Sequence, residues 1–307
     1  MLSLILLRQI SQLFILIFMG WAIVKSGILR SEDSKTLSML LLYIITPCVI
    51  LNAFQLQRSA ETVRMMELSL LSATLFSVLS IALGRLLARP FHLDTVETAS
   101  VMYPNCANMV IPVVAGTFGE EWIMYVTCYS IVQTILAWTH GRILISGRRR
   151  ISLRDLARNV NILAIMLGLL LFVFQLRLPS VVHSAFSMAA DTIGPVAMLI
   201  TGMLMAGIDL QRLRSYRQIW KPVLLRLVVL PVILVCLAKY SGLSALAPHG
   251  ETLIIISLLS AVAPSANIVT QFSQMFGRDA LYASLINTVT MLLCIVTMPL
   301  MVALFQF

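Results

Sequence analysis

The chain contains ten stretches of predominantly apolar residues, each close to the length that crosses a bilayer as a helix. A spanning helix needs roughly 20 such residues. Composition agrees, since 59% of the 307 residues are hydrophobic and only 11% are charged, whereas charged residues make up about 25% of a soluble domain. The sequence therefore predicts an all-α integral membrane protein embedded in the lipid bilayer. The ten predicted spans are residues 10–24, 37–54, 68–87, 96–114, 122–145, 160–174, 184–206, 220–240, 253–272 and 281–305.

Two of these stretches, the fourth and the ninth, are interrupted by proline and small polar residues. Proline removes a backbone donor and disfavours helix just before its ring. In lipid, the backbone groups freed in this way are tolerated only where protein or a water-filled cavity satisfies them. The pattern predicts two broken helices that cross near the bilayer midplane. The interrupting residues are Pro104, Asn105, Asn108 and Pro112 in the fourth stretch, and Pro264, Ser265 and Asn267 in the ninth.

The second half of the chain repeats the order of features of the first half. Each half has a proline in its second helix (Pro47 and Pro195), a broken fourth helix, and a Phe-Gly turn before its last helix. This predicts an internal duplication, with residues 1–147 as the first five-helix repeat, 148–159 as a basic linker, and 160–307 as the second repeat. Because five is an odd number, the second repeat must be inverted in the membrane.

The distribution of basic residues predicts the orientation. With the midpoint linker in the cytoplasm, 16 lysines and arginines fall on the cytoplasmic side and 5 on the other, as the positive-inside rule requires. Both termini are then non-cytoplasmic, in a multi-pass protein of the cell (inner or plasma) membrane. The clustering of charge in particular loops explains the net charge of +9 by topology, so we expect no nucleic-acid partner.

The broken helices are the first candidate for a substrate site. Half-helix ends expose amides that attract anions and carbonyls that attract cations. Asparagine amides donate and accept hydrogen bonds without a buried charge. The alternative is that the asparagines only satisfy the broken backbone. The candidate substrate-binding residues are Asn105, Asn108, Pro112, Pro264, Ser265 and Asn267.

Asp191 is a candidate for ion coupling. It lies within the seventh predicted span, four residues before Pro195, and carboxylates inside the membrane are costly and typical of functional sites. It could carry a proton or help to hold Na+. The alternative is a shorter helix, with Asp191 as an N-terminal cap near the outer surface. Pro47, Pro104 and Pro195 are predicted helix breaks or hinges.

Arg226 lies early in the eighth span, and two interpretations are open for it. Arginines near helix ends usually extend to the membrane interface. Alternatively, Arg226 attracts anions from the cytoplasm. Catalytic signatures such as HExxH or a Walker loop do not occur in the sequence, and the five cysteines are scattered singly, so neither an enzyme nor a metal or cofactor site is expected.

At these residues the sequence resembles the auxin efflux carrier family, within the wider bile acid/sodium symporter-like superfamily. Asn105 and Pro112 keep the spacing of the family pattern Asn-x-Gly-x-x-Gly-x-Pro, although Ala107 and Val110 replace the glycines. Residues 264–267 are similar to the family's Pro-small-small-Asn signature, and 195–202 to its seventh helix. The likeness covers essentially the whole chain, and the compact length is that of a microbial member.

This resemblance implies a secondary transporter of small organic anions, such as mono- or dicarboxylates like malonate or malate, working by alternating access and in the direction of efflux. It implies two inverted repeats that form a scaffold domain and a transport domain. The coupling ion would be a proton or Na+, and a homodimer is compatible with the sequence. A sodium-coupled importer of organic anions and a receptor or sensor on the same fold are the alternatives.

Overall fold

A computed structural model describes residues 2–147, 159–207 and 216–306. Helix forms at every one of the ten predicted stretches, and these residues contain no β-strand beyond one isolated bridge. All-α architecture is thereby confirmed for the described chain. The predicted basic linker lies almost entirely outside the described residues.

Twelve helices make up the described chain, because the fourth and ninth predicted spans are each divided in two. Their bounds are α1 Leu2–Lys25, α2 Ser31–Ala53, α3 Ala60–Ala88, α4 Thr95–Met102, α5 Cys106–Phe118, α6 Ile123–Leu136 (continued through Arg142–Ser146), α7 Val160–Val173, α8 Ser180–Ala206, α9 Arg217–Tyr240, α10 Gly250–Val262, α11 Asn267–Met275 and α12 Ala280–Gln306.

Six of the described helices, α1, α2, α3, α8, α9 and α12, are long and apolar enough to cross a membrane on their own. Helices α5, α7 and α10 are apolar but shorter. The 14 residues of α7 extend about 21 Å at 1.5 Å per residue, which is less than the roughly 30 Å hydrocarbon thickness. Helices α5 and α10 are short because each is one half of a broken span.

Prolines widen helices in this fold more often than they break them. Of the four π-helical turns in the described residues, three end two residues before a proline: Leu41–Ile45, Cys106–Val110 and Leu225–Val229. The fourth, Ala137–Gly141 within α6, has no proline after it. A proline has no N–H for the preceding turn and its ring crowds the carbonyl four residues earlier, so the turn opens to a wider hydrogen-bonding pattern. Helix α2 continues through Pro47, so the predicted hinge there is not a complete break.

The other two predicted hinges differ from Pro47. The chain is extended at Pro104, between α4 and α5. At Pro195 helix α8 is interrupted only at Thr192, between its segments Ser180–Asp191 and Ile193–Ala206. Of the three prolines predicted as breaks or hinges, only Pro104 lies at a complete break.

Helices α1 and α8 pack against each other through glycines. A Cβ atom on Gly20 would overlap the backbone of Leu199, and one on Gly202 would overlap the carbonyl oxygen of Ile17. The hydrophobic effect does not drive helices together within lipid, so membrane helices associate through close packing, which small residues allow. This pair joins the first helix of the chain to the second half, beside the larger cavity described below.

Candidate functional site

The two helix breaks cross and pair through their backbones, as the sequence predicts. Together they form a short antiparallel bridge. The amide of Asn105 donates to the carbonyl of Pro264 (2.8 Å), and the amide of Ala266 donates to the carbonyl of Tyr103 (2.9 Å). Each break therefore supplies the hydrogen-bond partners that the other lacks, as backbone removed from water requires.

The N-terminal ends of two half-helices lie at this crossing. Helix α5 begins directly after Asn105, and α11 begins directly after Ala266. The first-turn amides of a helix have no intrahelical partners and carry partial positive charge. Asn105 is only 6% exposed and its Nδ2 has no hydrogen-bond partner, and the fully buried Ser265 Oγ has none either. Two unpaired polar side chains thus accompany two helix N-termini.

Helix α12 holds the second break in place. Its Thr290 Oγ1 accepts a hydrogen bond from the amide of Ser265 (3.1 Å), and the Asn287 amide donates to the Asn267 side-chain oxygen. The side-chain oxygen of Asn267 is therefore already hydrogen-bonded within the protein. The side chain of Asn108, in the first break, is half-buried and has no hydrogen-bond partner in the described chain. The predicted asparagines thus differ in how free they are to meet a ligand.

A side-chain network supports the first break from helices α3 and α6. The guanidinium of Arg85 lies 2.8 Å from His140 Nε2, and His140 Nδ1 lies 2.6 Å from the Tyr103 hydroxyl. Because a guanidinium only donates, Nε2 accepts and Nδ1 carries the proton in the neutral ring. The Tyr103 hydroxyl is then free to donate to the carbonyl of Leu136 (3.2 Å). This network fixes the residue directly before Pro104.

Arg226 binds the carbonyl ends of the two other half-helices, so both interpretations offered for it from the sequence are wrong. Its side chain is 0% exposed. Nε and Nη2 donate to the carbonyl of Ala263 (2.9 and 2.6 Å), Nη2 also donates to Ala261 (2.6 Å), and Nη1 donates to Val101 (3.0 Å). The guanidinium therefore neither reaches the interface nor lines an entrance, because the C-termini of α4 and α10 hold it.

The larger cavity lies next to the crossing, on the side where α1 begins. It measures about 650 Å³. Of the sequence-predicted residues, Pro112, Asp191 and Pro195 line it, whereas Asn105, Asn108, Pro264, Ser265 and Asn267 do not. Its polar lining consists of Gln9, Gln12, Asn52, Gln55, Glu120, Glu121, His183, Ser187 and Asp191.

Asp191 belongs to this cavity, and the alternative of an N-terminal cap is wrong. Helix α8 begins at Ser180, and the residue that precedes its second segment is Thr192. The aspartate is the last residue of the first segment and is exposed to the cavity. A carboxylate in this place meets whatever solute fills the cavity.

A second, smaller cavity of about 370 Å³ lies at the N-terminal ends of α4 and α12. Glu97 on its wall is 3% exposed, accepts a hydrogen bond from the Tyr282 hydroxyl (2.6 Å) and forms a capping box with Asp94. The rings of Tyr216 and Tyr282 stack at 4.7 Å, and the Tyr216 hydroxyl donates to Asp279 (2.9 Å). These contacts tie the start of α9 to the starts of α4 and α12.

Sequence reasoning missed the structural roles of three of these residues: Arg226, Glu97 and His140. Glu97 is a second carboxylate within a predicted span, and it is buried whereas Asp191 is exposed. The Asp94-x-x-Glu97 spacing signals a capping box, which could have placed Glu97 at a helix start. Arg226 and His140 act through partners far along the chain, and no local pattern marks such contacts.

The fold combines apolar helices with two crossing pairs of half-helices and a polar cavity beside the crossing. These features define the class of polytopic membrane transporters built on broken helices. A sequence model described as membrane transport protein matches residues 5–153 and 148–302. The chain belongs to this family, that of the auxin efflux carriers, which confirms the resemblance in the sequence. A search of curated proteins gave no match.

Proposed function

We propose that this protein is a secondary transporter that exports small organic anions by alternating access, with the crossing of the two broken helices as its substrate site. The observation that carries the proposal is the pairing of two half-helix N-termini with the unpaired Asn105 Nδ2 and Ser265 Oγ. Family membership supports membrane transport in general. The anionic substrate and the direction are proposed from the chemistry of the described residues.

The chemistry of the crossing favours an anion over a cation. The carbonyl ends of α4 and α10 are already bonded to Arg226, so the groups left for a ligand are amides and a hydroxyl. A carboxylate that leaves water must have its lone pairs met by donors. Helix N-termini and neutral side chains provide such donors and still let the anion leave.

The charge of the larger cavity supports export. Glu120, Glu121 and Asp191 line it, and its described lining contains no lysine or arginine. In the orientation favoured by the positive-inside rule, this cavity opens away from the cytoplasm. A cleft lined by one sign of charge repels solutes of that sign. The same repulsion lowers the local concentration of anions that approach from outside, and so disfavours uptake from that side.

The proposed topology follows from the same orientation. We take the ten helical regions as ten spans in two inverted repeats, residues 1–147 and 160–307, with both termini outside the cytoplasm. In support, the loops that border the larger cavity and those that border the smaller one lie at opposite ends of the helices. Alternating access would then open one cavity towards the crossing while the other closes.

The test begins with purified protein and a thermal-shift screen of dicarboxylates, monocarboxylates and indole acids. Ligands that raise Tm are then loaded into proteoliposomes, and their counterflow is measured with empty liposomes as the control. We expect a carboxylate to raise Tm and to exchange across the membrane. Stabilisation without flux would favour the receptor alternative, and stabilisation by cationic or neutral solutes alone would contradict the anionic substrate.

A further inference from the structure

The environment of Arg226 is uncommon. Its guanidinium is fully buried, and all of its hydrogen-bond partners are backbone carbonyls. Within residues 2–147, 159–207 and 216–306 no carboxylate pairs with it. An unpaired charge removed from water is normally too costly to keep. Something other than an acidic side chain must therefore compensate it.

The compensation comes from helix ends. Val101 lies in the last turn of α4, and Ala261 and Ala263 lie in and directly after the last turn of α10. The C-terminus of a helix carries roughly −0.5 elementary charge, so two such ends together offset about one positive charge. Four donor–acceptor contacts of 2.6–3.0 Å complete the match.

This carbonyl set is the kind of site that binds a coupling cation in broken-helix transporters, where half-helix C-termini and unwound carbonyls coordinate Na+. Here the set spans both breaks, because Val101 precedes the first and Ala261 and Ala263 precede the second. The π-helical turn Leu225–Val229, which ends two residues before Pro231, carries Arg226. The same covalent chain therefore supplies the cation that the crossing needs.

We propose that Arg226 is the resident cation of the crossing: its guanidinium permanently fills the carbonyl site, so that no inorganic cation binds there during the cycle. This inference rests on the proposed transport function only where it concerns the cycle, since the occupancy of the carbonyl site is a property of the folded protein. If the Arg226 side chain is removed, a small monovalent cation is the chemical class that can take its place. Guanidinium fits best, because it is planar and can donate to several carbonyls.

The first experiment measures the Tm of the full-length protein in detergent. The parent should have the same Tm in NaCl, KCl and choline chloride at equal concentration. Arg226→Ala should lower Tm, because three carbonyls lose their donors, and millimolar guanidinium chloride should restore part of the loss. A specific rise in Tm with Na+ that persists in Asp191→Asn, or an unchanged Tm in the Arg226→Ala variant, would overturn the proposal.

Arg278 provides a matched control. Its Nε also donates to a carbonyl near a helix end, that of Ile145 (2.9 Å), but the residue is exposed. Arg278→Ala should therefore lose less stability and should not be rescued by guanidinium. Equal responses of the two alanine variants would contradict a specific site at Arg226.

A second variant covers the case in which Arg226→Ala does not fold. Arg226→Lys keeps a cation, so its Tm should be lower than that of the parent but equally indifferent to the choice of Na+, K+ or choline. Stabilisation of the lysine variant by Na+ in particular would overturn the proposal. In proteoliposomes, exchange by the parent should be equal in Na+ and choline media; absence of flux in both would reject the transport function and leave the Tm results standing.

Discussion

Asn105 and Asn267 each follow a proline at a break, but the two side chains have different partners. Asn105 Nδ2 is unpaired, whereas the Asn267 oxygen accepts a hydrogen bond from Asn287. Loss of a hydrogen bond to a charged group costs about 1.5–3 kcal/mol, or roughly one to two decades in affinity. Asn105→Ala and Asn267→Ala should each weaken carboxylate binding by that amount, measured as Kd in a thermal-shift titration.

Stability should separate the two variants. Asn267→Ala leaves the buried Asn287 amide without its partner and should also lower Tm, whereas Asn105→Ala removes no hydrogen bond from its Nδ2 and should lower Tm less. Gln133→Leu is the control, because Gln133 is buried in α6 and its Nε2 is also unpaired, yet it lies outside the breaks. If both alanine variants bind carboxylate with the Kd of the parent, the crossing has only a structural role and is not the substrate site.

Asp191 remains the candidate for the coupling proton. If it carries that proton, Asp191→Asn should abolish gradient-driven accumulation and leave substrate exchange largely intact, since exchange need not reset the proton site. The side chain is exposed to the cavity, so Tm should change little. Glu120→Gln, in the same cavity, is the control and should accumulate substrate normally. Unaltered accumulation and pH dependence in Asp191→Asn would reject the coupling role.

At the scale of helices, the sequence predicted where helix forms and where two of the helices break. The apolar stretches located helix in all ten places, and prolines beside small polar residues located both breaks. The widened turn before Pro47 was not predictable, because hydropathy reports burial in lipid and not the hydrogen-bonding pattern within a helix. The unpaired Asn105 Nδ2 likewise depends on the packing of helices far apart in the chain.

The contact of α1 with α8 gives a prediction at this scale. Gly202→Val should cost about 1–3 kcal/mol or more, because added side-chain atoms meet the backbone of Ile17 and cannot displace it by a rotamer change. We expect a lower Tm and a lower yield of folded protein. Leu204→Val, at an exposed position on the same helix, should leave Tm close to that of the parent. Equal stability of both variants would contradict close packing at Gly202.

For the whole molecule, the orientation in the membrane is the property to test. In a chain whose native cysteines have been replaced, a cysteine introduced at Arg149 should react with an impermeant thiol reagent only after the membrane is opened. A cysteine introduced at Arg58, at the opposite predicted side, should react in intact cells. The reverse result at both positions would invert the proposed topology and make the acidic cavity an entrance on the cytoplasmic side.

The mutual pairing of the two breaks has a consequence for biosynthesis. The carbonyls of Val101 and Tyr103 and the amide of Asn105 find their partners in Arg226, Ala266 and Pro264. All three partners are translated much later than the first break. The ribosome therefore delivers to the membrane an N-terminal half with open backbone groups, which hydrocarbon cannot satisfy. Until the second half arrives, water, lipid headgroups or the insertion machinery must shelter that segment, and translation arrested between the two breaks would leave a product exposed to quality-control proteolysis.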